Sequence, residues 1–280
     1  MERAELTLLG ATVLWGLTFP AMKVSLAYLP PILFLSYRFG IATFLMLLIF
    51  REKVLKRESI TEGLILGLTL FFGHGFQIVG LEYTTASNSA FITSLYVVFT
   101  PFIGYFLIGE RIGGKDLVSL ITALAGLYLI SGANGRIGLG DALTALCALS
   151  FAFQIVLVQR FGHSDYLSLS FWQIFWNFLF SAVFSLLSEP LSVPEGLVPW
   201  TGLVYTAVFG TVVAFTLQTK YQRETTAYRA ALIYSMEPIF GSLSAFLLLG
   251  ESLTGKSLLG ALLIMASVWN EIRRKPEGTP

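Results

Sequence analysis

Charge is what this sequence has least of. Only 12% of its 280 residues are Asp, Glu, Lys or Arg, against about 25% in an ordinary soluble domain. So little charge excludes a chain with a fully water-exposed surface. Cysteine is nearly absent as well: the lone Cys147 excludes an internal disulfide and any CxxC metal or redox site. Histidine occurs only at His74 and His163, which fall at different depths and cannot share one site. There is no HExxH, no phosphate-cradling glycine loop and no Ser/His/Asp set near a glycine elbow. An enzyme is therefore not expected, and neither are a cofactor, a metal or a nucleic-acid partner.

Apolar residues make up 55% of the chain, and the charges are bunched between long uncharged stretches. These stretches are Leu6–Met22, Gly63–Leu81, Tyr83–Gly109, Leu117–Gly135, Ala142–Gln159, Tyr166–Ser188 and Gly196–Thr219. Each has the roughly 17–25 residues that a helix needs to cross a hydrocarbon core about 30 Å thick. Pro31–Phe50, Ala227–Leu249 and Lys256–Ile272 join them once Arg38, Glu237 or a terminal Glu271 is tolerated. Ten spans at about 28 residues each use the whole chain, which predicts an all-α multi-pass protein of the cytoplasmic membrane. The start, "MERAELTLLG", has no basic n-region and no small-residue cleavage site, so the first span is expected to be retained.

Placement of charge sets the expected orientation. Basic residues collect in alternate connections: Arg51/Lys53/Lys56/Arg57, Arg111/Lys115, Arg160, Lys220/Arg223 and Arg273/Arg274/Lys275. The other connections hold only Lys23, Arg136 and Lys256. By the positive-inside rule both termini are expected in the cytoplasm.

The chain also repeats itself. "TTASNSAFITSLYVVFTPFIGYFLIGERIGGK" from Thr84 aligns without a gap to "TTAYRAALIYSMEPIFGSLSAFLLLGESLTGK" from Thr225, an offset of 141 residues. About a third of the positions from Thr84 to Gly126 are identical. A unit of five spans is odd in number, so the second copy enters the membrane from the opposite side. The loops agree, because "GLEYTTAS" carries no basic residue while "YQRETTAY" carries Arg223. Inverted-topology repeats are characteristic of secondary transporters, in which exchanging the conformations of the halves moves the access from one side to the other. The expected division is 1–135 for the first repeat, 136–274 for the second and 275–280 for a short tail.

Several segments together resemble a known family. "VLWGLTFPAMK", "PPILFLSYRFGIA", "EYTTASNSAFITSL" and "LIGERIGGKDL" look like a first EamA domain, and "GDALTALCALSFAFQIVLVQR", "ETTAYRAALIYSMEPIF" and "LLLGESLTGKSLLGALLIM" like a second. Over essentially its whole length the chain resembles the EamA branch of the drug/metabolite transporter superfamily. The resemblance implies ten helices and a central cavity built chiefly from spans 3, 4, 8 and 9, with spans 5 and 10 peripheral. It also implies export of amino acids and other small metabolites. The halves differ where Phe151 stands for Trp15, and where Gln173 lies near the place of Arg38.

With little charge to spare, each polar group inside a span can be weighed. Glu237 lies near the middle of its span, where a carboxylate costs roughly 2.5–3.5 kcal/mol on insertion scales. It meets either a substrate amine or proton, or a neighbouring helix that it braces. Pro238 removes a backbone donor beside it and loosens the helix. Arg38 is placed either to pair with Glu237 or to bind a substrate carboxylate. His74, between two glycines, reads as a proton relay or as a neutral interhelical bridge. Gln77 and Gln218 are repeat-related, at opposite span ends, which suits gates on the two sides or amides facing headgroups. Tyr234, three residues before Glu237, is expected on the same helical face, and Tyr96 is the repeat equivalent of Glu237. Asn88, Thr93, Gln154, Trp172, Gln173 and Asn177 complete the candidate lining, and Glu110 and Glu251, ending their spans beside glycines, read as structural.

The expected function is a secondary carrier that exports small neutral or zwitterionic metabolites, such as amino acids, by alternating access. Proton coupling and facilitated export fit equally, as do a monomer and a weak dimer. An intramembrane enzyme, a passive channel and a receptor remain as alternatives.

Overall fold

The computed structural model describes residues 3–131 and 138–273. The expected repeat boundary at 135/136 and the tail 275–280 lie outside the described residues. The described chain is all-helical. Its ten long helices are α1 (Arg3–Ser25), α2 (Pro31–Phe50), α3 (Ile60–Glu82), α4 (Ala86–Ile108) and α5 (Gly114–Ser131), then α6 (Leu139–Arg160), α7 (Tyr166–Ser188), α8 (Leu197–Glu224), α9 (Ala227–Leu249) and α10 (Gly255–Ile272). Eight of them are long and apolar enough to cross a membrane. The other two, α5 and α10, have 18 residues each, about 27 Å at the usual helical rise.

Local chemistry starts and stops these helices. Pro31 opens α2 at a position where its missing N–H costs nothing. Thr85, Thr226, Thr254 and Asp165 cap α4, α9, α10 and α7 by accepting a backbone N–H in the first turn. The C-termini of α4 and α9 end on Gly109 and Gly250, both left-handed at φ 69, a conformation that glycine adopts without a Cβ clash.

Three of the long helices are broken within their length. α1 is interrupted at Leu17, α4 at Ser94–Leu95 and α9 at Ser235–Met236. Each break carries a hydroxyl that donates back to the preceding turn: Thr18 to Trp15 O at 2.6 Å, Ser94 to Ala90 O at 3.0 Å and Ser235 to Leu232 O at 2.6 Å. Such back-bonding competes with the backbone ladder and bends a helix. Pro238 adds to the break in α9, since Tyr234 O loses its usual donor there. The same break occurs in α4 with Val97 at the equivalent position, so proline is not its sole cause. In α8 the residues Val208–Val213 form a π-helical turn.

The packing follows the repeat. α4 and α9 cross, with the first half of each against the second half of the other. α3 packs on α6 and α7, α2 on α7, and α1 lies against both α8 and α9. α5 and α10 pair closely because Gly126 and Gly260 face each other: a Cβ on Gly260 would stand 2.4 Å from Gly126 O. Outward-facing side chains are large and apolar, for example Phe44, Phe106, Leu187 and Leu247. The polar ones, Arg38, Gln173, Asn177 and Gln218 among them, are buried in the bundle. In lipid this is the stable distribution, because unpaired polar groups cannot face hydrocarbon.

Candidate functional site: a central cavity at the helix breaks

A cavity lies where the interrupted segments of α1, α4 and α9 meet α2, α3, α6 and α8. It is lined by Trp15, Thr18, Arg38, His74, Gln77, Tyr96, Phe151, Gln154, Ile155, Phe215, Gln218, Tyr234 and Glu237. It leaves about 50 Å³ for the centres of water-sized molecules. On that measure a water needs roughly 10–15 Å³, so a few waters fit.

Glu237 begins the second segment of α9 and is buried. Its hydrogen bond partner among the described residues is the Tyr96 hydroxyl, which donates to Oε2 at 3.2 Å. Repeat-equivalent residues thus meet across the molecule, at the crossing of α4 and α9. Gly16 makes this position possible. A Cβ on it would lie 2.6 Å from Phe240 Cβ and 3.0 Å from Glu237 O, so the bare backbone of α1 allows α9 to approach.

Arg38 is fully buried but makes no ion pair within 4.0 Å among the described residues. Its guanidinium donates to Thr211 Oγ1 at 2.9 Å and Gly210 O at 3.3 Å, and it lies against Met22 Sδ at 3.5 Å. The π-helical turn of α8 creates this seat, because a wider turn frees carbonyls from the helical ladder. Thr211 in turn donates to Thr206 O, five residues back, and Gly210 O also accepts from Trp15 Nε1 at 3.0 Å. Arg38 and Glu237 therefore share one cavity while each is held mainly by neutral dipoles.

Aromatic rings wall the space between them. Trp15 packs against Phe215 and Tyr234 with centroids 5.5 and 5.2 Å apart. His74 sits edge-on among Phe39, Phe151 and Phe215. Its Nδ1 is 3.0 Å from Leu70 O; a carbonyl only accepts, so Nδ1 carries a proton.

Towards the end that carries Arg160, Lys220 and Arg223, a ladder of amides closes the cavity. Gln154 and Gln218 exchange two bonds of 3.1 Å, and Gln154 also donates to Gln173. Gln218 donates to Gln222, which accepts from Tyr234 and donates to Ile155 O at 2.7 Å. At the opposite end Gln77 has, among the described residues, only a 3.3 Å bond to Thr93, and the repeat equivalent of Gln222 is Leu81.

Of the residues singled out in the sequence, Arg38, His74, Gln77, Tyr96, Gln154, Gln218, Tyr234 and Glu237 converge on the cavity. Five others are elsewhere. Thr93 and Gln173 stand one bond behind the wall, on Gln77 and Gln154. Asn88 donates to Asp141 at 2.6 Å, the Trp172 indole to Lys56 O, and Asn177 accepts from Ser181 within α7. Thr18, Ile155 and Phe215 line the cavity without having been singled out; they are apolar or small, so composition did not mark them. Trp15 and Phe151 were visible only as a position where the two repeats diverge.

The sequence profile described as the EamA-like transporter family matches residues 2–132 and 138–270, nearly the whole chain. The chain belongs to the EamA-like transporter family. A transporter of Archaeoglobus fulgidus, uncharacterised in function, is 36% identical over 95% of this chain and 84% of its own length. A protein of Salmonella typhimurium named a probable amino-acid metabolite efflux pump is 30% identical over 92% of this chain and 90% of its own. A solved crystal structure superimposes with a TM-score of 0.79 over 96% of this chain and 97% of the other, at 19% identity, which shows a shared fold. As an EamA-like protein the chain is a multi-pass membrane transporter rather than an enzyme, with a small-molecule substrate.

Proposed function

We propose that this transporter exports small neutral or zwitterionic metabolites, amino acids or related compounds, by alternating access through the central cavity. The observation that carries the reading is the presence of one guanidinium and one carboxylate on the same cavity, not joined to each other. Arg38 suits bidentate binding of a substrate carboxylate, and Glu237 suits an ammonium group. Sugar phosphates and nucleotide sugars would call for more than one cation at this depth, and Arg38 is the only Lys or Arg in the lining among the described residues. Two relatives named probable amino-acid metabolite efflux pumps support the same solute class. The two repeats act as the moving halves, with the basic connections on the cytoplasmic side. Glu237 and His74 are the groups available to carry a coupling proton, and the working unit is a monomer or a weak dimer.

The test is extracellular metabolite profiling of cells carrying wild type, Glu237→Ala or empty vector. Accumulation of a few amino acids outside wild-type cells, lost in a well-expressed variant, is the expected outcome. No change in any amine-bearing solute on expression of the wild type would overturn the reading.

A further inference from the structure

The repeated motif Thr-Thr-Ala … Leu-x-Gly-Glu is one device, made twice by exchange between the halves. At the C-terminus of α4, left-handed Gly109 turns the chain so that Glu110 reaches the start of α9. There it accepts from Ala227 N at 3.0 Å and Tyr228 N at 2.9 Å. At the C-terminus of α9, Gly250 does the same for Glu251, which accepts from Ala86 N at 3.0 Å and Ser87 N at 3.1 Å at the start of α4. The cap threonines complete each terminus, Thr226 taking Arg229 N and Thr85 taking Asn88 N. Carboxylates on helix N-termini are favoured both by hydrogen bonding and by the helix dipole.

The two contacts lie at opposite ends of the bundle, with the Tyr96–Glu237 crossing between them and a helix break beside each of those residues. α4 and α9 are therefore two rods that cross at the cavity, tied at both ends. Opening the cavity towards the end with Arg160 and Lys220 draws the start of α9 from the end of α4 and breaks the bonds of Glu110. Opening towards the other end breaks those of Glu251.

We propose that Glu110 and Glu251 are the two latches of the transport cycle: positioning residues that set which side of the membrane the cavity opens to. This rests on the alternating-access reading above, but not on the identity of the solute. The latches are unequal, since Glu251 also accepts from the Ser87 hydroxyl at 2.5 Å, while the repeat equivalent Tyr228 uses its hydroxyl on Asp116 O.

The experiment places a reporter thiol in the cavity, Thr18→Cys in a Cys147→Ala background, and measures its labelling by an impermeant maleimide from each face. Right-side-out and inside-out vesicles supply the two faces. Glu251→Gln should raise labelling from the face of the α4 N-terminus by about tenfold relative to the other face, and Glu110→Gln should shift the ratio about tenfold the opposite way. The double variant should return towards the starting ratio. Opposite signs are the decisive feature, because residues that only brace the fold would change both accessibilities alike. Shifts of the same sign, or an unchanged ratio in folded protein, would overturn the proposal. Should the glutamine variants not fold, Ser87→Ala carries the test, since it leaves both backbone bonds of Glu251 in place. It should move the ratio about threefold in the direction of Glu251→Gln, and no movement would overturn the proposal. None of these readouts requires a transported solute, so failure here is distinct from failure of the export reading.

Discussion

Replacing Glu237 with glutamine separates charge from shape. The amide keeps the size of the side chain, and its oxygen can still accept from Tyr96, which donates at 3.2 Å in the native protein. Burial of a neutral amide is easier than burial of a carboxylate, so Glu237→Gln should fold with unchanged or raised thermal stability. What it removes is one charge from the cavity wall. A hydrogen bond to a charged group contributes about 1.5–3 kcal/mol, and about 1.4 kcal/mol corresponds to tenfold in affinity. An amino acid should therefore bind roughly 10- to 150-fold more weakly to the variant. Its analogue with a hydroxyl in place of the amine should bind wild type and variant about equally, because Arg38 remains seated on Thr211 and Gly210. Solute-induced thermal shifts on purified protein, titrated with both compounds, read the two affinities side by side. Equal losses for the two compounds would refute the assignment of Glu237 to the amine, and so would undiminished amino-acid binding.

Gly16→Ala should cost about 1–3 kcal/mol, the usual range for overpacking, because its Cβ would stand 2.6 Å from Phe240 Cβ; thermal denaturation in detergent checks this. Gln222→Leu should destabilise by about 1–3 kcal/mol, the cost of leaving a buried polar group without its partner, since Gln218 and Tyr234 both donate to its oxygen. It should also speed labelling of the cavity thiol from the side of Lys220, and slower labelling would contradict the ladder as a seal. If protons are the coupling ion, transport by Glu237→Gln in proteoliposomes should lose its dependence on pH. A persisting dependence would move that role to another group.

How much of this was legible in advance depended on what each residue has to satisfy. The span pattern was readable because a hydrocarbon core demands about 20 apolar residues per crossing, whatever the neighbours are. The repeat was readable because Thr-Thr-Ala and Leu-x-Gly-Glu recur at one offset. Their purpose was not, since a glutamate after a glycine looks like an interfacial residue until its partner N-terminus is seen. Mid-span polar residues were marked as costly by composition alone, and eight of those singled out do face the cavity. Gln173 and Asn177 carry the same cost and meet it only in part: their oxygens accept from Gln154 and Ser181, while their amide nitrogens find no partner among the described residues.

What the sequence by itself determined is therefore the class of protein, the inverted repeat and the short roster of buried polar groups, because each follows from local composition in a fixed apolar solvent. The tertiary structure alone decided which of those groups share a cavity. That depends on the rotation of each helix and on which helices become neighbours. Neither is set within one span: Tyr96 reaches Glu237 across 141 residues, and the seat of Arg38 exists only because α8 widens by a π-turn where α2 passes it.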